Sequence, residues 1–213
     1  MDTLKTILNG KIIAISRGIY GAKLIDSALA LYEGGVRAFE VTFEQDKDLG
    51  QTSEAVGRLC ESLPTDAAVG AGTVLTPDQV RMAKNAGASF IISPDTRAEV
   101  VAESKRLGLI SIPGAMTPTE VVRAYSLGAD IVKVFPAGVL GAEYFKALKA
   151  PLAHIPLAAV AGITPENIRK FHKAGAAAFG ISTGLYKPSA VENGDTETLK
   201  SLAKLFLDSL SEE

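Results

Sequence analysis

One local pattern recurs along the whole chain: a short strand-like run, then an amphipathic helical stretch that ends in glycine. The runs are KIIAISRG (11–18), AFEVTFE (38–44), AAVGAGTV (67–74), FIISP (90–94), ISIPGA (110–115), IVKVFPA (131–137), PLAAVAGI (156–163) and AFGIST (178–183). Helical stretches close in LYEGGVRAF, MAKNAGASF, ESKRLGLIS, AYSLGADIV and FHKAGAAAF, each with a glycine suited to a left-handed C-cap just before the next run. Three of these stretches open on Thr-Pro, at Thr76-Pro77, Thr117-Pro118 and Thr164-Pro165. There threonine is available as N-cap and proline fits the first helical position. Runs that are apolar on both faces and alternate with helices predict a parallel sheet covered by helices. Eight such units close most simply as a (β/α)8 TIM barrel, expected as a single domain over residues 1–213. An open doubly wound sheet is the alternative, but no glycine-rich dinucleotide fingerprint follows the first run. The segment ETLKSLAKLFLDSLSEE supplies the last helix.

Composition narrows the partners. The chain is 47% hydrophobic with a formal net charge of −2 and no lysine/arginine block, so it carries no electrostatic footprint for nucleic acid or an anionic membrane surface. No apolar run is long enough to span a bilayer, and residues 1–10 lack the regions of a secretory signal. A cytoplasmic protein is expected. The single cysteine, Cys60, lies in the helical pattern TSEAVGRLCESL, where a buried or half-buried apolar role is expected. His154 and His172 are too few and too differently placed for a metal cluster, and no metal or other cofactor is expected.

Against this background the stretch ADIVKVFPAG (129–138) is anomalous, because Lys133 sits inside a short apolar run where an ammonium ion is costly to desolvate. Among the lysines it alone falls inside a predicted strand; the others sit on helices, in loops or at element starts. In a barrel that strand is flanked on both sides and covered by a helix, so the side chain should point inward near the carboxyl ends of the strands, where such folds build active sites. A lysine paired with a carboxylate for structural reasons, or snorkelling at the rim, is the plainer alternative. Burial would lower the amine's pKa from about 10.4 toward the range useful for attack on a carbonyl. Strand two offers a matching anomaly, Glu40 in AFEVTF, an acid able to shuttle protons if the two meet across the lumen; a buried ion pair without catalysis is the alternative. Thr73, at the end of VGAGT, has a hydroxyl placed to bind a substrate carboxylate. The glycine turns Ala161-Gly162-Ile163-Thr164 and Gly180-Ile181-Ser182-Thr183-Gly184 follow the last two strands, where barrels often cradle a phosphate.

With these residues placed, the chain resembles the class I aldolase family that cleaves 2-keto-3-deoxy-6-phosphogluconate and 4-hydroxy-2-oxoglutarate. The resemblance runs from Ile13 to about Tyr186 and lies in GGVRAFEVT, VGAGTVLTPDQ, FIISPDT, IPGAMTPTE, ADIVKVFPA and GITPENI. It implies that Lys133 is the Schiff-base lysine and Glu40 the general acid/base. It further implies that Thr73 contacts the pyruvyl carboxylate, that Pro94 lines the pocket, and that Gly162, Ser182 and Thr183 surround the phosphate or distal end. Family members are commonly trimeric, which implies a homotrimer here. Two departures stand out. Many members carry an arginine four residues after the catalytic glutamate, where this chain has Glu44, and many have two glycines where it has Ala161-Gly162. Arg17, at the mouth end of strand one, is the candidate cation in place of the missing arginine. Its Arg-Gly ending, together with YFKALKA, is similar to a branch acting on the 6-phosphogalactonate isomer.

The expected activity is therefore metal-independent cleavage of a 2-keto-3-deoxy-6-phospho sugar acid to pyruvate and an aldehyde such as glyceraldehyde 3-phosphate, or of 4-hydroxy-2-oxoglutarate to pyruvate and glyoxylate. A 2-dehydro-3-deoxy-6-phosphogalactonate aldolase is the nearest alternative. A phosphate-binding barrel isomerase using the same acid and base without a covalent intermediate, and a non-catalytic sugar-phosphate sensor, are readings from other classes.

Overall fold

The predicted glycine stops are realised in the computed structural model, which describes residues 2–211. Gly35, Gly87, Gly108, Gly128 and Gly175 all adopt positive φ, the left-handed conformation that ends a helix at little steric cost when no Cβ is present. The Thr-Pro pairs likewise start α4 (Pro77–Asn85), α6 (Pro118–Ser126) and α8 (Pro165–Lys173). Thr76 and Thr117 each accept a hydrogen bond from the backbone three residues on, while Gln79 and Glu120 reach back in reciprocal capping boxes.

The strands fall within the predicted runs: β1 (Ile12–Ser16), β2 (Ala38–Thr42), β3 (Ala68–Gly72), β4 (Phe90–Ile92), β5 (Ile110–Ile112), β6 (Gly114–Ala115), β7 (Val132–Val134), β8 (Leu157–Val160) and β9 (Ala178–Ile181). All pair in parallel, in the order β5-β4-β3-β2-β1-β9-β8-β7-β6. The two ends of that order are neighbours in the chain, so the sheet curls into a nearly closed α/β barrel. The run ISIPGA, expected as one strand, is instead two, β5 bonded to β4 and β6 bonded to β7. Pro113 stands between them and has no N–H to continue a ladder. Its carbonyl still serves the barrel, accepting from Lys133 N at 2.9 Å.

Alternation along each strand divides the core into two layers. Ile13, Ile15, Ala38, Ala68, Phe90, Ile131, Ala158 and Ala178 pack inside the barrel. Ile12, Ala14, Phe39, Val41, Val69, Val132, Val134 and Phe179 face outward, toward α2 (Gly21–Glu33), α3 (Leu49–Ser62), α4, α5 (Ala98–Arg106), α6, α7 (Ala137–Lys149) and α8. Burial on both faces explains why the strands read as unbroken apolar runs. Toward the carboxyl end the interior changes character, because Glu40 and Lys133 occupy inward positions two residues beyond Ala38 and Ile131.

The repeat does not announce α1 (Thr3–Gly10). Asp2 caps it by accepting from Lys5 N at 3.2 Å, and Ile7, fully buried, joins the barrel-interior cluster with Leu4 and Leu8 against it. This helix closes the end opposite Glu40 and Lys133. After β9 come α9 (Pro188–Asn193) and α10 (Thr196–Ser211). Cys60, expected to be at least half-buried, is exposed. It sits at the edge of the buried stripe of α3 formed by Thr52, Ala55, Val56 and Leu59. No helix among the described residues is long and apolar enough to cross a membrane.

Candidate active site

Strand register sets the positions of the two anomalous side chains. Glu40 lies between Ile15 and Gly70, and Lys133 lies between Gly114 and Ala158. Both project into one cavity of about 300 Å³ at the carboxyl ends of the strands, also lined by Arg17, Phe135, Ala161 and Ser182. Glu40 is 2% exposed and Lys133 7%, so neither charge is well solvated. Glu40 Oε2 has no hydrogen-bond partner among the described residues. Lys133 Nζ makes no hydrogen bond or ion pair among them either, and lies 4.9 Å from the centroid of the Phe135 ring.

The electrostatics follow from this burial. Desolvation pushes the Glu40 carboxyl above its ordinary value, partly offset by the nearby charges of Lys133 and Arg17. Desolvation likewise pushes the Lys133 amine below its ordinary value, opposed by Glu40 and reinforced by Arg17. An unpaired amine tuned downward and an unpaired acid tuned upward in one cavity are the elements of nucleophilic and acid/base chemistry at neutral pH.

A small residue makes room for the acid. A Cβ built at Gly72 would overlap Glu40 Oε1, so the carboxylate occupies the space a side chain at 72 would need. Gly72→Ala is expected to fold, because the obstructing atoms are the free end of a flexible side chain. A carboxylate displaced by about 1 Å is expected to cost turnover roughly 100-fold, read as kcat.

The other predicted residues are distributed unevenly. Arg17 donates to Thr73 Oγ1 at 3.2 Å, which brings Thr73 to the cavity mouth through Arg17. Gly162 follows Ala161 at the rim, where Gly138 N donates to Ala161 O at 2.8 Å. A Cβ on Gly138 would lie 2.7 Å from Gly162 Cα, so these two turns meet backbone to backbone. Ser182 lines the cavity, whereas the next residue, Thr183, is exposed and does not. Pro94 lines a neighbouring cavity with Thr96, Met116 and Arg123, and Phe135 is the wall the two cavities share.

Glu44 keeps its charge to itself. Tyr20 donates to its Oε2 at 2.8 Å and Lys47 pairs with its Oε1 at 3.0 Å, which hold its carboxyl below the ordinary range. Arg17 forms no ion pair among the described residues.

A family model described as KDPG and KHG aldolase matches residues 4–202. The chain belongs to that family. It is accordingly an aldolase, a carbon–carbon lyase. The KDPG and KHG aldolase relatives include the 2-dehydro-3-deoxy-6-phosphogalactonate aldolase of Escherichia coli K12, 34% identical over 177 residues that cover 83% of this chain and 84% of that one. The 2-dehydro-3-deoxy-phosphogluconate aldolase of Treponema pallidum is 37% identical, covering 68% of this chain and 67% of its own. Among solved structures, a native KDPGal structure superposes with a TM-score of 0.84 at 32% identity, covering 93% of both chains.

Two residues at this site escape sequence reasoning. Gln45 and Gln79 hydrogen-bond to each other at 2.7 Å and to the Thr73 turn. A polar residue in a loop and one in a helix's first turn look solvent-facing in sequence; only the TPDQ capping signature draws attention to Gln79.

Proposed function

We propose that this aldolase works through a Schiff base on Lys133 and splits a 2-keto-3-deoxy-6-phospho sugar acid into pyruvate and glyceraldehyde 3-phosphate, with 4-hydroxy-2-oxoglutarate as a second substrate. The carrying observation is the juxtaposition of Lys133 and Glu40, both buried in one cavity and neither committed to another protein group. The neutral Lys133 amine attacks the C2 carbonyl and water leaves, giving a protonated imine that serves as an electron sink. Glu40, directly or through water, takes the proton of the C4 hydroxyl as the C3–C4 bond breaks and the aldehyde departs. The remaining enamine is protonated at C3, and hydrolysis of the imine returns pyruvate and the free amine. In this reading Ser182 and the Ala161-Gly162 turn hold the distal phosphate, and Arg17 and Thr73 take the pyruvyl carboxylate.

The 6-phosphogalactonate isomer is a second reading. It is supported by the Arg17-Gly18 ending and by YFKALKA, which resemble that branch, and by the 34% identity to a relative of that name. A pyruvate-release assay across the phosphogluconate, phosphogalactonate and hydroxyglutarate substrates decides between them. Release from a phosphorylated sugar acid is expected, and silence on all three would defeat the proposal.

Arg17→Ala tests the carboxylate clamp. Loss of a charge-assisted hydrogen bond is expected to raise KM for the keto acid roughly 10- to 100-fold with a smaller change in kcat. An unchanged KM would remove Arg17 from that role.

The barrel count and assembly belong to the same proposal. β5 and β6 act as one strand broken by Pro113, which gives eight units in a single (β/α)8 domain. A homotrimer fits the exposed apolar side chains of Met116, Phe135 and Val139, of which Val139 is 84% exposed. Sedimentation should then report a species of three chains.

A further inference from the structure

Thr73 is an unusual residue for its conformation. Its φ is 55°, in the left-handed region that a β-branched side chain adopts only when its surroundings enforce it. The enforcement is visible. Gln45 Nε2 donates to Thr73 O at 2.8 Å, and Gln45 Oε1 in turn accepts from Gln79 Nε2 at 2.7 Å. Gln79 is only 2% exposed, and its own Oε1 is fixed by the backbone N–H groups of Leu75 and Thr76 at 2.7 and 3.2 Å. The far end of the chain of contacts is Thr73 Oγ1, which accepts from Arg17 Nη2 at 3.2 Å.

We propose that Gln45 is a positioning residue: anchored on buried Gln79, it holds the Thr73 backbone so that the Thr73 hydroxyl fixes the Arg17 guanidinium at the cavity mouth. The segment Phe43–Lys47 then divides its labour. Glu44 turns toward Tyr20 and Lys47, where its negative charge is neutralised, and the next residue turns the other way to brace Thr73. Arg17 gives its two ends different partners, a protein hydroxyl behind and a substrate carboxylate in front. This inference rests on the reading of Arg17 as the carboxylate clamp.

The test is a double-mutant cycle. Gln45→Met removes both hydrogen bonds, and Gln45→Glu keeps the acceptor for Gln79 while removing the donor to Thr73. Each is expected to raise KM for the keto acid roughly 3- to 10-fold, on the scale of the lost hydrogen bond to Thr73 O, with kcat nearly unchanged; the melting temperature is preserved in Gln45→Glu and lowered by a few degrees in Gln45→Met, which strands the buried Gln79 Nε2 donor. In an Arg17→Ala background the Gln45→Met effect should vanish, because the residue through which it acts is gone. An equal KM effect with and without Arg17, or no effect in either single variant, overturns the positioning role. If Arg17→Ala alone leaves KM unchanged, the clamp itself fails, a result distinct from failure of the Gln45 brace.

Discussion

Lys133→Met is expected to abolish aldol cleavage, lowering kcat by roughly 10⁵- to 10⁶-fold, the scale on which an enzyme suffers when a covalent nucleophile is removed. Methionine keeps the unbranched reach of the lysine and lacks the amine. The melting temperature is expected to stay within a few degrees of the parent, because the replaced group is a desolvated amine without a hydrogen bond or ion pair among the described residues. Circular dichroism melting beside a coupled pyruvate assay separates loss of chemistry from loss of fold. Turnover within tenfold of the parent would mean that cleavage does not run through this residue.

The second large effect belongs to Glu40. Glu40→Gln keeps the shape of the side chain and removes its capacity to carry a proton, so a loss of roughly 10²- to 10⁴-fold in kcat is expected. The pH dependence gives an independent readout. On the proposed mechanism cleavage needs Glu40 as carboxylate and Lys133 as free amine, so both groups must shed a proton and the rate must rise with pH. Burial places the Glu40 midpoint above the ordinary 4.5 and the Lys133 midpoint below the ordinary 10.5. The rising limb of kcat/KM should lie between those values, and its steep two-proton part should relax to a one-proton slope in Glu40→Gln. A variant that keeps the parent's profile would show that another group moves the proton.

Much of this was legible because apolar patterning and charge conflict so openly in the sequence. A lysine in ADIVKVFPA and a glutamate in AFEVTF are costly within an apolar strand, and the alternation of each strand aims both inward. The glycine stops were legible for a related reason: five left-handed turns require the one residue without a Cβ. What sequence could not reveal depends on which loop tips meet. Nothing local distinguishes the brace Gln45 from any exposed glutamine, since its role needs Gln79 and Thr73, both supplied by the next unit of the barrel. Pro94 enters only through the family resemblance, and it lines the adjoining cavity that shares Phe135 as a wall. Ile7 seals the barrel floor from a helix outside the repeat.

Reductive trapping tests the central claim most directly. Incubation with pyruvate and sodium borohydride should add one reduced pyruvyl group per chain, and peptide mass spectrometry should find it on Lys133, with none in Lys133→Met. Active enzyme that yields no adduct, or an adduct on a different lysine, would contradict the Schiff-base account.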